Sequence, residues 1–431
     1  MTQLVSPPTG AHVSCPEGRT AAPEQPHRWR GWRLRGEWWV ATRYCLLVYA
    51  CVRAGLFLLG LLTVSLVPAQ SPVGVPGWPA PVPTGGWHNA VTAWERADAL
   101  WFLRIASSGY ADTDGSPAFF PLFPMLVRAV GVLTGGRWLL AGFVVSNLAL
   151  LVGLVVLYRL TAELFAGEER GERGERMARR TVLYLCLFPT SFFLFSPFSE
   201  PVFLAFAVGC LYAARHRAWL LAGSLGAGAA LTRSVGITLC AVLAVEAVHQ
   251  LVADRRAGRS WRLVCVGRGL ACAVPALGTG AYLAYWQWRS GDALMPFHAQ
   301  GGWQRDLSWP TTTLWRAAQL GTDYVGSYPG GYLSLDLLLF AVALVAAGWV
   351  VLRTRPLFGA YVGLSLLFAL LFVFDGRPLM STPRFLLVIF PLFWALARFG
   401  ERWRAHDAVV ALSAAGLALV GALAVSWLPI F

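Results

Sequence analysis

The stretch LLAGFVVSNLALLVGLVVLYRL, residues 139–160, holds 22 residues, of which only Arg159 is charged. An α-helix needs about 20 mainly apolar residues to cross the hydrocarbon core of a bilayer, so this stretch predicts a membrane-spanning helix. The composition of the whole chain agrees, because 57% of its 431 residues are hydrophobic and 13% are charged. Soluble domains carry about a quarter charged residues. The sequence therefore predicts an all-α polytopic membrane protein.

Similar apolar runs recur along the chain and predict about 11 transmembrane helices. They lie at 44–67, 139–160, 181–196, 199–214, 218–231, 235–252, 264–288, 335–352, 357–374, 384–399 and 408–428. Three of the runs between 181 and 231 are short for a span and suggest tilted, re-entrant or broken helices. Residues 1–43 predict a disordered cytoplasmic arm without a cleaved signal peptide, and 44–431 a single transmembrane domain.

The distribution of arginine predicts the orientation of these spans. All 35 basic residues are arginines, and 24 of them fall on one side of the predicted topology against ten on the other. Because cytoplasmic loops carry the arginine excess, the chain is predicted to have its N-terminus inside and its C-terminus outside. The two long loops, 68–138 with interfacial helices and 289–334, are then extracytoplasmic. The unusual polar residues gather on that outer side, which is where we expect the functional site.

Several classes of function lose support from what the sequence does not contain. The net charge of +13 is spread over short loops between apolar runs, so a nucleic-acid partner is not indicated. The eight cysteines form no CxxC pair and mostly lie in apolar runs, which favours buried small side chains over disulfides or a zinc site. The chain has no Walker motif, dinucleotide fingerprint, HExxH or nucleophile elbow.

The segment WERADALWFLRIASSGY, residues 94–110, is too polar to cross a membrane. If it is helical throughout, Asp98 lies on an aromatic face between Trp94 and Trp101, whereas Arg96 points about 160° away. A carboxylate on such a face is partly desolvated, which tends to raise its pKa and suits it to accept a proton. The alternative is an interfacial amphipathic helix whose aromatic residues belong to the interfacial belt.

Charged residues near the predicted outer boundary have both functional and structural interpretations. Arg233, between two apolar runs, binds a lipid-linked phosphate, extends its charge to the membrane interface or forms a salt bridge with Glu200. Glu200 before a proline is compatible with ordinary helix capping. Arg384 opens a span against the helix dipole and is expected to pair with Asp375 or with a substrate phosphate. His298 either orients a substrate and carries protons or is an ordinary loop histidine.

Five blocks of sequence carry a family resemblance. They are WERADALWFLRIASSGY…AFFPLFP (94–124), FPTSFFLFSPFSEPVFLAF (188–206), AALTRSVGITL (229–239), PFHAQGGWQRDLSWP (296–310) and STPRFLLVIFPLFWALA (381–397). Over about residues 40–400 the chain resembles the second GPI mannosyltransferase of eukaryotes, as a bacterial relative of this integral-membrane family of the GT-C class. The family's Arg-Trp-Asp motif corresponds to Arg96, Ala97 and Asp98, with alanine in place of the tryptophan.

The resemblance implies a GT-C-type bundle and an enzyme that transfers a sugar, typically mannose, from a polyprenyl-phosphate donor. It implies transfer with inversion at the extracytoplasmic face of the cell membrane, without metal or cofactor. The acceptor, a lipid or glycan, is left open, and membrane lipid is the other expected partner. A transporter or flippase of lipid-linked sugar, or a non-catalytic subunit of a glycosylation complex, is the alternative. A cluster of charges at mid-membrane would favour transport.

The predicted site follows from these interpretations. Asp98 is the expected catalytic base, and Glu95 is either a second catalytic carboxylate or a solvated flank. Arg233 and Arg384 are expected to bind the donor phosphate. The remaining substrate-site candidates are Trp94, Arg96, Trp101, Glu200, Thr232, Ser234, His298 and Gln300.

Overall fold

The protein is described by a computed structural model, which covers residues 27–68, 72–82, 85–166, 172–258, 262–326, 330–374 and 376–428. The described chain is almost entirely helical. The helices are α1 His27–Leu66, α2 Asn89–Thr92, α3 Asp98–Ser108, α4 Leu122–Leu133, α5 Trp138–Leu164, α6 Glu172–Leu187, α7 Phe192–Phe195, α8 Glu200–Arg215, α9 Trp219–Thr232, α10 Leu239–Arg256, α11 Arg262–Ser290, α12 Met295–Gly301, α13 Pro310–Asp323, α14 Gly330–Arg353, α15 Pro356–Leu370, α16 Thr382–Leu386, α17 Pro391–Arg402 and α18 His406–Val425. Two 3₁₀ helices, Ser116–Ala118 and Ser234–Thr238, and two strands, β1 Arg305–Leu307 and β2 Phe372–Phe374, complete them.

Five helical segments of the described chain are long and apolar enough to cross a membrane. They are Gly36–Leu66, Trp138–Leu164, Ser234–Arg256, Gly331–Arg353 and His406–Val425. Three further apolar helices, α4, α9 and α15, are shorter. The chain is therefore a multi-pass, all-α membrane protein, whereas the number of about 11 spans and their orientation stay predictions.

Two details of the sequence prediction need correction. Helix α1 begins at His27, so residues 27–43 are helical where a disordered arm was expected; residues 1–26 lie outside the described chain. The all-α bundle also carries one small antiparallel ribbon, in which Arg305 pairs with Phe374 and Leu307 with Phe372. This ribbon joins the second long loop to the end of α15.

Small residues let the central helices approach closely and fix where α9 ends. A Cβ atom on Gly223 would lie 2.8 Å from the carbonyl oxygen of Ala271, and one on Gly226 would lie 2.6 Å from the ring of Pro275. The backbones of α9 and α11 therefore meet with no side chain between them, as is common between membrane helices. This close packing holds α9 in place. Thr232 is the last residue of α9, and Arg233 follows it.

Arg53 is the charged residue in the middle of the first predicted span. It bonds to the backbone at the end of the short helix α7. Its Nη1 donates a 2.7 Å hydrogen bond to the carbonyl oxygen of Phe195, the last residue of the four-residue helix α7. Its guanidinium carbon lies 4.7 Å from the centre of the Phe143 ring. A carbonyl at the end of a helix has no partner within that helix, so Arg53 supplies one. This structural role gives no support to a transport pathway.

Polar contacts made by Tyr282 and Arg377 hold the loops at one end of the bundle. Tyr282 of α11 donates its hydroxyl proton to the carbonyl oxygens of Pro117 and Phe119, at 2.8 and 3.0 Å. Arg377 makes two bonds of 2.6 and 3.0 Å to the carboxylate of Asp336 on α14. These contacts fix the loop after α3 and the turn before α16, which both border the cavity described next.

Candidate functional site

A cavity of about 620 Å³ opens where several helices of the bundle begin or end. Its walls come from the start of α3, the end of α9, the β1–β2 ribbon, α16 and the end of α18. Aromatic side chains form much of the lining, among them Trp94, Trp101, Phe119, Phe193, Trp303, Phe372 and Trp427. A largely apolar cavity with a few charged groups is typical of a small-molecule or cofactor-headgroup site.

A backbone reversal at Ala97 delivers Asp98 to this cavity. Helix α3 starts at Asp98, and Ala97 before it adopts φ 47° and ψ −127°, a conformation that favours glycine. The helix predicted to run from Trp94 therefore does not exist before Asp98. Strained backbone of this kind persists where the surrounding structure holds it, and it is concentrated at functional sites.

Asp98 belongs to a chain of alternating negative and positive side chains whose residues are far apart in the sequence. Arg384 Nη1 donates to Asp98 Oδ2 at 2.5 Å, and Arg384 Nε donates to Oε1 of Glu200. Arg233 Nη1 donates to the same Glu200 oxygen at 2.5 Å and to Ser199 Oγ at 3.1 Å. The order is thus Asp98, Arg384, Glu200, Arg233, and charge-assisted bonds of this kind are among the strongest in proteins.

Aromatic rings cover the two arginines of this chain. The guanidinium carbon of Arg384 lies 4.8 Å from the Phe193 ring centre and 5.0 Å from that of Phe198. That of Arg233 lies 5.3 Å from the Phe385 ring centre. Ring faces attract cations and exclude water, which strengthens the ion pairs and fixes the planes of both guanidinium groups.

A third arginine, Arg305, adds a positive charge that no carboxylate balances within the described chain. It lies on β1 and donates from Nη2 to the hydroxyl of Ser381 at 3.2 Å, with its guanidinium 5.9 Å from the Phe385 ring centre. Ser381 has a left-handed backbone at φ 65° directly before α16, which aims its hydroxyl at the ribbon. Sequence reasoning missed Arg305, although it stands within the block PFHAQGGWQRDLSWP.

The sequence predicted a raised pKa for Asp98, whereas in the structure its pKa is lowered. Burial on the aromatic face raises it, but the Arg384, Arg305 and Arg233 guanidinium charges outweigh burial and hold the pKa of Asp98 below its usual range. Asp98 is therefore a firmly ionised carboxylate in this structure, 29% exposed and open to the cavity. The aromatic neighbours were visible in the sequence, whereas the cations come from distant segments.

Comparison with known families connects this geometry to glycosyl transfer. Residues 82–292 match the family model for mannosyltransferases described as "Mannosyltransferase (PIG-V)". This range, just under half of the chain, is similar to the PIG-V mannosyltransferases. The matched range contains Asp98, Glu200 and Arg233, whereas Arg305 and Arg384 follow it. The match confirms the family resemblance seen in the sequence blocks and supports the prediction of a membrane glycosyltransferase.

A crystal structure of the Archaeoglobus fulgidus oligosaccharyltransferase complex with Zn and sulfate matches with a TM-score of 0.41 and 12% identity, over 88% of this chain and 53% of that one. The chain thus spans about half the length of that structure. No curated protein matches the sequence.

Most predicted site residues do line the cavity. Those that do are Trp94, Arg96, Asp98, Trp101, Thr232, Arg233, Ser234, Gln300 and Arg384. Glu200 lies behind the lining, fully buried, and its ion pairs with Arg233 and Arg384 replace the expected capping role. The salt bridge between Glu200 and Arg233 that the sequence left open therefore forms. Asp375, the other expected partner of Arg384, lies outside the described residues.

Glu95 and His298 stand apart from the cavity lining. The Glu95 carboxylate, 8% exposed, accepts a 2.9 Å hydrogen bond from Trp78 Nε1. Burial raises the pKa of Glu95, and the Trp78 hydrogen bond lowers it by less. His298 is exposed and pairs with Asp292 at 2.8 Å. Among the charged side chains of the described cavity wall, Asp98 is accordingly the acid available to a substrate.

Arg96 was expected on the helix face opposite Asp98, but no helix forms at Arg96 and the two residues line the same cavity. Because the chain reverses at Ala97, Arg96 also lines the cavity. Its Nε donates to the carbonyl oxygen of Ala93, and its guanidinium carbon lies 4.4 Å from the centre of the Trp427 ring. A helix continued back to Trp94 would have placed this side chain on the opposite face.

Proposed function

We propose that this protein is an inverting glycosyltransferase that moves a hexose, mannose by family resemblance, from a polyprenyl-phosphate donor to an acceptor at the extracytoplasmic face. One observation carries the proposal. Three guanidinium groups, Arg233, Arg305 and Arg384, surround the Asp98–Glu200 pair of carboxylates inside an aromatic cavity. Among the described residues, three positive charges face two negative ones, an excess that favours binding of an anion.

A polyprenyl-phosphate sugar supplies the missing charge. Its phosphodiester carries one negative charge, which matches the excess that Arg305 contributes. Arg233 and Arg384 are already neutralised by Glu200 and Asp98, so Arg305 is the first contact for the phosphate. This assignment refines the sequence expectation, in which Arg233 and Arg384 alone hold the donor. A planar guanidinium fork suits phosphate oxygens well.

Donor binding also prepares Asp98. A phosphate beside Arg305 competes with Asp98 for Arg384, whose Nη1 now bonds to that carboxylate. When Arg384 turns its charge toward the phosphate, the pKa of Asp98 rises and the carboxylate becomes able to accept a proton. The base is thus activated when the donor is present.

The chemical step is a single displacement. The acceptor hydroxyl attacks the anomeric carbon, its proton passes to Asp98, and the bond from that carbon to the phosphate oxygen breaks. The electron pair leaves on the polyprenyl phosphate, whose added charge Arg305 and Arg384 stabilise. Attack from the face opposite the phosphate inverts the anomeric centre through an oxocarbenium-like transition state.

The apolar wall of the cavity suits the lipid part of such a donor. Phe368 and Ala369 at the end of α15, with Phe372 of β2, line the cavity next to Val235. An isoprenoid chain that follows this wall keeps its phosphate at the end of the bundle, near Arg305. The arginine distribution of the loops supports placing this end outside the cell.

The test uses purified protein with polyprenyl-phosphate mannose and a membrane lipid extract as the source of acceptor. We expect mannose to leave the donor with release of polyprenyl phosphate, and D98N to lower the rate about 10²–10⁴-fold. The matched control is D292N, which changes a partly exposed carboxylate outside the cavity. Turnover by D98N at the rate of D292N would refute the proposal.

A further inference from the structure

Besides Arg305, a second arginine of the cavity has no carboxylate partner within the described chain. This arginine is Arg96. Within the described chain it forms no ion pair with a carboxylate, and its buried Nη1 has no hydrogen-bond partner. Its neighbour in sequence, Glu95, is occupied by Trp78. An arginine stays protonated at neutral pH, so a partly buried guanidinium of this kind is costly without an anion.

Arg96 is set apart from the charge cluster around Asp98. The cations that act on Asp98 are Arg384, Arg305 and Arg233, whereas burial is the cause that lowers the pKa of Arg96. The two positive regions also have different walls, since Arg305 contacts Ser381 and Phe385 and Arg96 stacks on Trp427. One phosphate at Arg305 therefore leaves Arg96 without a partner.

We propose that Arg96 and Trp427 form an acceptor subsite, which binds the phosphate of an anionic lipid headgroup; this rests on the proposed function. Nη1 of Arg96 is free to donate to a phosphate oxygen, and the Trp427 ring holds the guanidinium plane in place. The donor phosphate at Arg305 and the acceptor phosphate at Arg96 then occupy different parts of one cavity.

The surroundings of Arg96 favour a lipid as the bearer of this phosphate. Trp427 and Leu428 directly follow α18, one of the helices able to cross a membrane, and Ala424 of that helix lines the cavity. The neighbouring α1 ends at Leu66, whose side chain is exposed. A lipid can therefore keep its acyl chains along α1 and α18 while its headgroup enters the cavity.

The spacing of Arg96 and Asp98 limits the size of that headgroup. Residues two apart have Cα atoms separated by at most about 7 Å. The phosphate held by Arg96 and the hydroxyl that Asp98 deprotonates are therefore separated by no more than this spacing plus the reach of the two side chains. We expect a headgroup of one or two small hydroxyl-bearing units, such as a polyol, rather than an extended glycan.

A binding experiment tests the subsite without the donor. Dioctanoyl phosphatidylglycerol, an anionic lipid with a small hydroxylated headgroup, is titrated into purified protein and followed by thermal shift and native mass spectrometry. We expect R96Q to raise its apparent Kd at least about tenfold. R137Q, which changes an exposed arginine outside the cavity, leaves the Kd unchanged, and R305Q changes it less than R96Q does. W427L, a second variant in case R96Q does not fold, also weakens binding.

The outcomes separate this inference from the proposed function. Equal binding by wild type and R96Q would overturn the acceptor subsite and leave the transfer reaction untouched. Failure of the protein to use polyprenyl-phosphate mannose would overturn the reaction, whereas binding that depends on Arg96 could still be measured. If R96Q lowers donor hydrolysis by water as much as R305Q does, Arg96 serves the donor phosphate and the subsite is wrong.

Discussion

Nη1 of Arg384 lies 2.5 Å from Oδ2 of Asp98, although 286 residues separate the two in the chain. The same guanidinium also donates to Glu200, so one arginine holds two carboxylates that come from α3 and α8. Arg384 therefore connects the first long loop, the middle of the bundle and the last third of the chain.

Removing the Arg384 charge should destabilise the protein as well as inactivate it. R384Q leaves Asp98 with its charge only partly balanced and Glu200 with Arg233 alone. Loss of one partner of a buried ion pair costs about 3–5 kcal/mol. We expect a clear fall in the midpoint of thermal unfolding, measured in detergent, for R384Q and a smaller one for R384K, which keeps the charge without the fork. The exposed R137Q is the control, and an unfolding midpoint of R384Q equal to that of R137Q would contradict the prediction.

Removing the Arg305 charge should shift the pH dependence of transfer. Asp98 must be ionised to accept a proton, and neighbouring cations hold its pKa below the usual range against the opposing effect of burial. In wild type, kcat/KM should therefore stay level from neutral pH well into the acid range. R305Q removes one of the cations, so the pKa of Asp98 rises and the acid limb of the profile moves to higher pH. An unchanged limb in R305Q would show that Arg305 does not act on the base.

The same variant should affect the donor more than the acceptor. A lost charge-assisted bond to phosphate costs roughly 1.5–3 kcal/mol, about 10- to 100-fold in affinity. We expect R305Q to raise KM for polyprenyl-phosphate mannose by that factor, with KM for the acceptor little changed. Steady-state titration of each substrate in turn measures this split. A larger effect on the acceptor would exchange the two phosphate assignments.

Glu95 should be dispensable for turnover. Its carboxylate bonds to Trp78 and does not line the cavity, so E95Q keeps a hydrogen-bond acceptor for the indole and leaves the site intact. We expect wild-type kcat within about twofold and a stability change of at most roughly 1 kcal/mol. The matched comparison is D98N in the same assay. A loss of activity in E95Q equal to that in D98N would make Glu95 the base instead.

Glycine should be tolerated at the reversal before α3. Ala97 has φ 47°, which costs an alanine of the order of 1–3 kcal/mol and a glycine little. After the entropy lost by glycine, we expect A97G to stabilise the protein by about 1 kcal/mol with activity kept, and A97V to destabilise it. A106G within α3 is the control and should destabilise. Destabilisation by A97G equal to that by A106G would mean that the conformation at Ala97 is not strained.

The sequence predicted the members of the site better than their contacts. Asp98, Arg233 and Arg384 were expected to meet because the predicted topology places all three on one side of the membrane, and they do line one cavity. The error lay in the predicted backbone conformation just before α3. Helical periodicity was extended through Ala97, where the backbone reverses, and this misdirected Arg96.

Interactions between distant segments were beyond reach for a different reason. Arg305 depends on a three-residue ribbon that pairs β1 with β2, and such short strands leave no periodic signal. The sign of the Asp98 pKa shift depends on Arg384, Arg305 and Arg233, which no local window around Asp98 contains. For Glu200 the sequence offered helix capping or a salt bridge to Arg233, whereas its second ion pair, with Arg384, was not anticipated.

The bond from Arg53 to the carbonyl of Phe195 has a consequence for biogenesis. Arg53 enters the bilayer with α1, the first membrane-spanning segment of the described chain, and its partner lies 142 residues later. At about 5–20 residues per second, synthesis of that interval takes roughly 7–30 s. During this time a charge that costs about 2.5–3.5 kcal/mol at mid-membrane waits for its acceptor. The first segment therefore cannot reach its final energy until the nascent chain has delivered α7, and the order of translation sets the order of assembly.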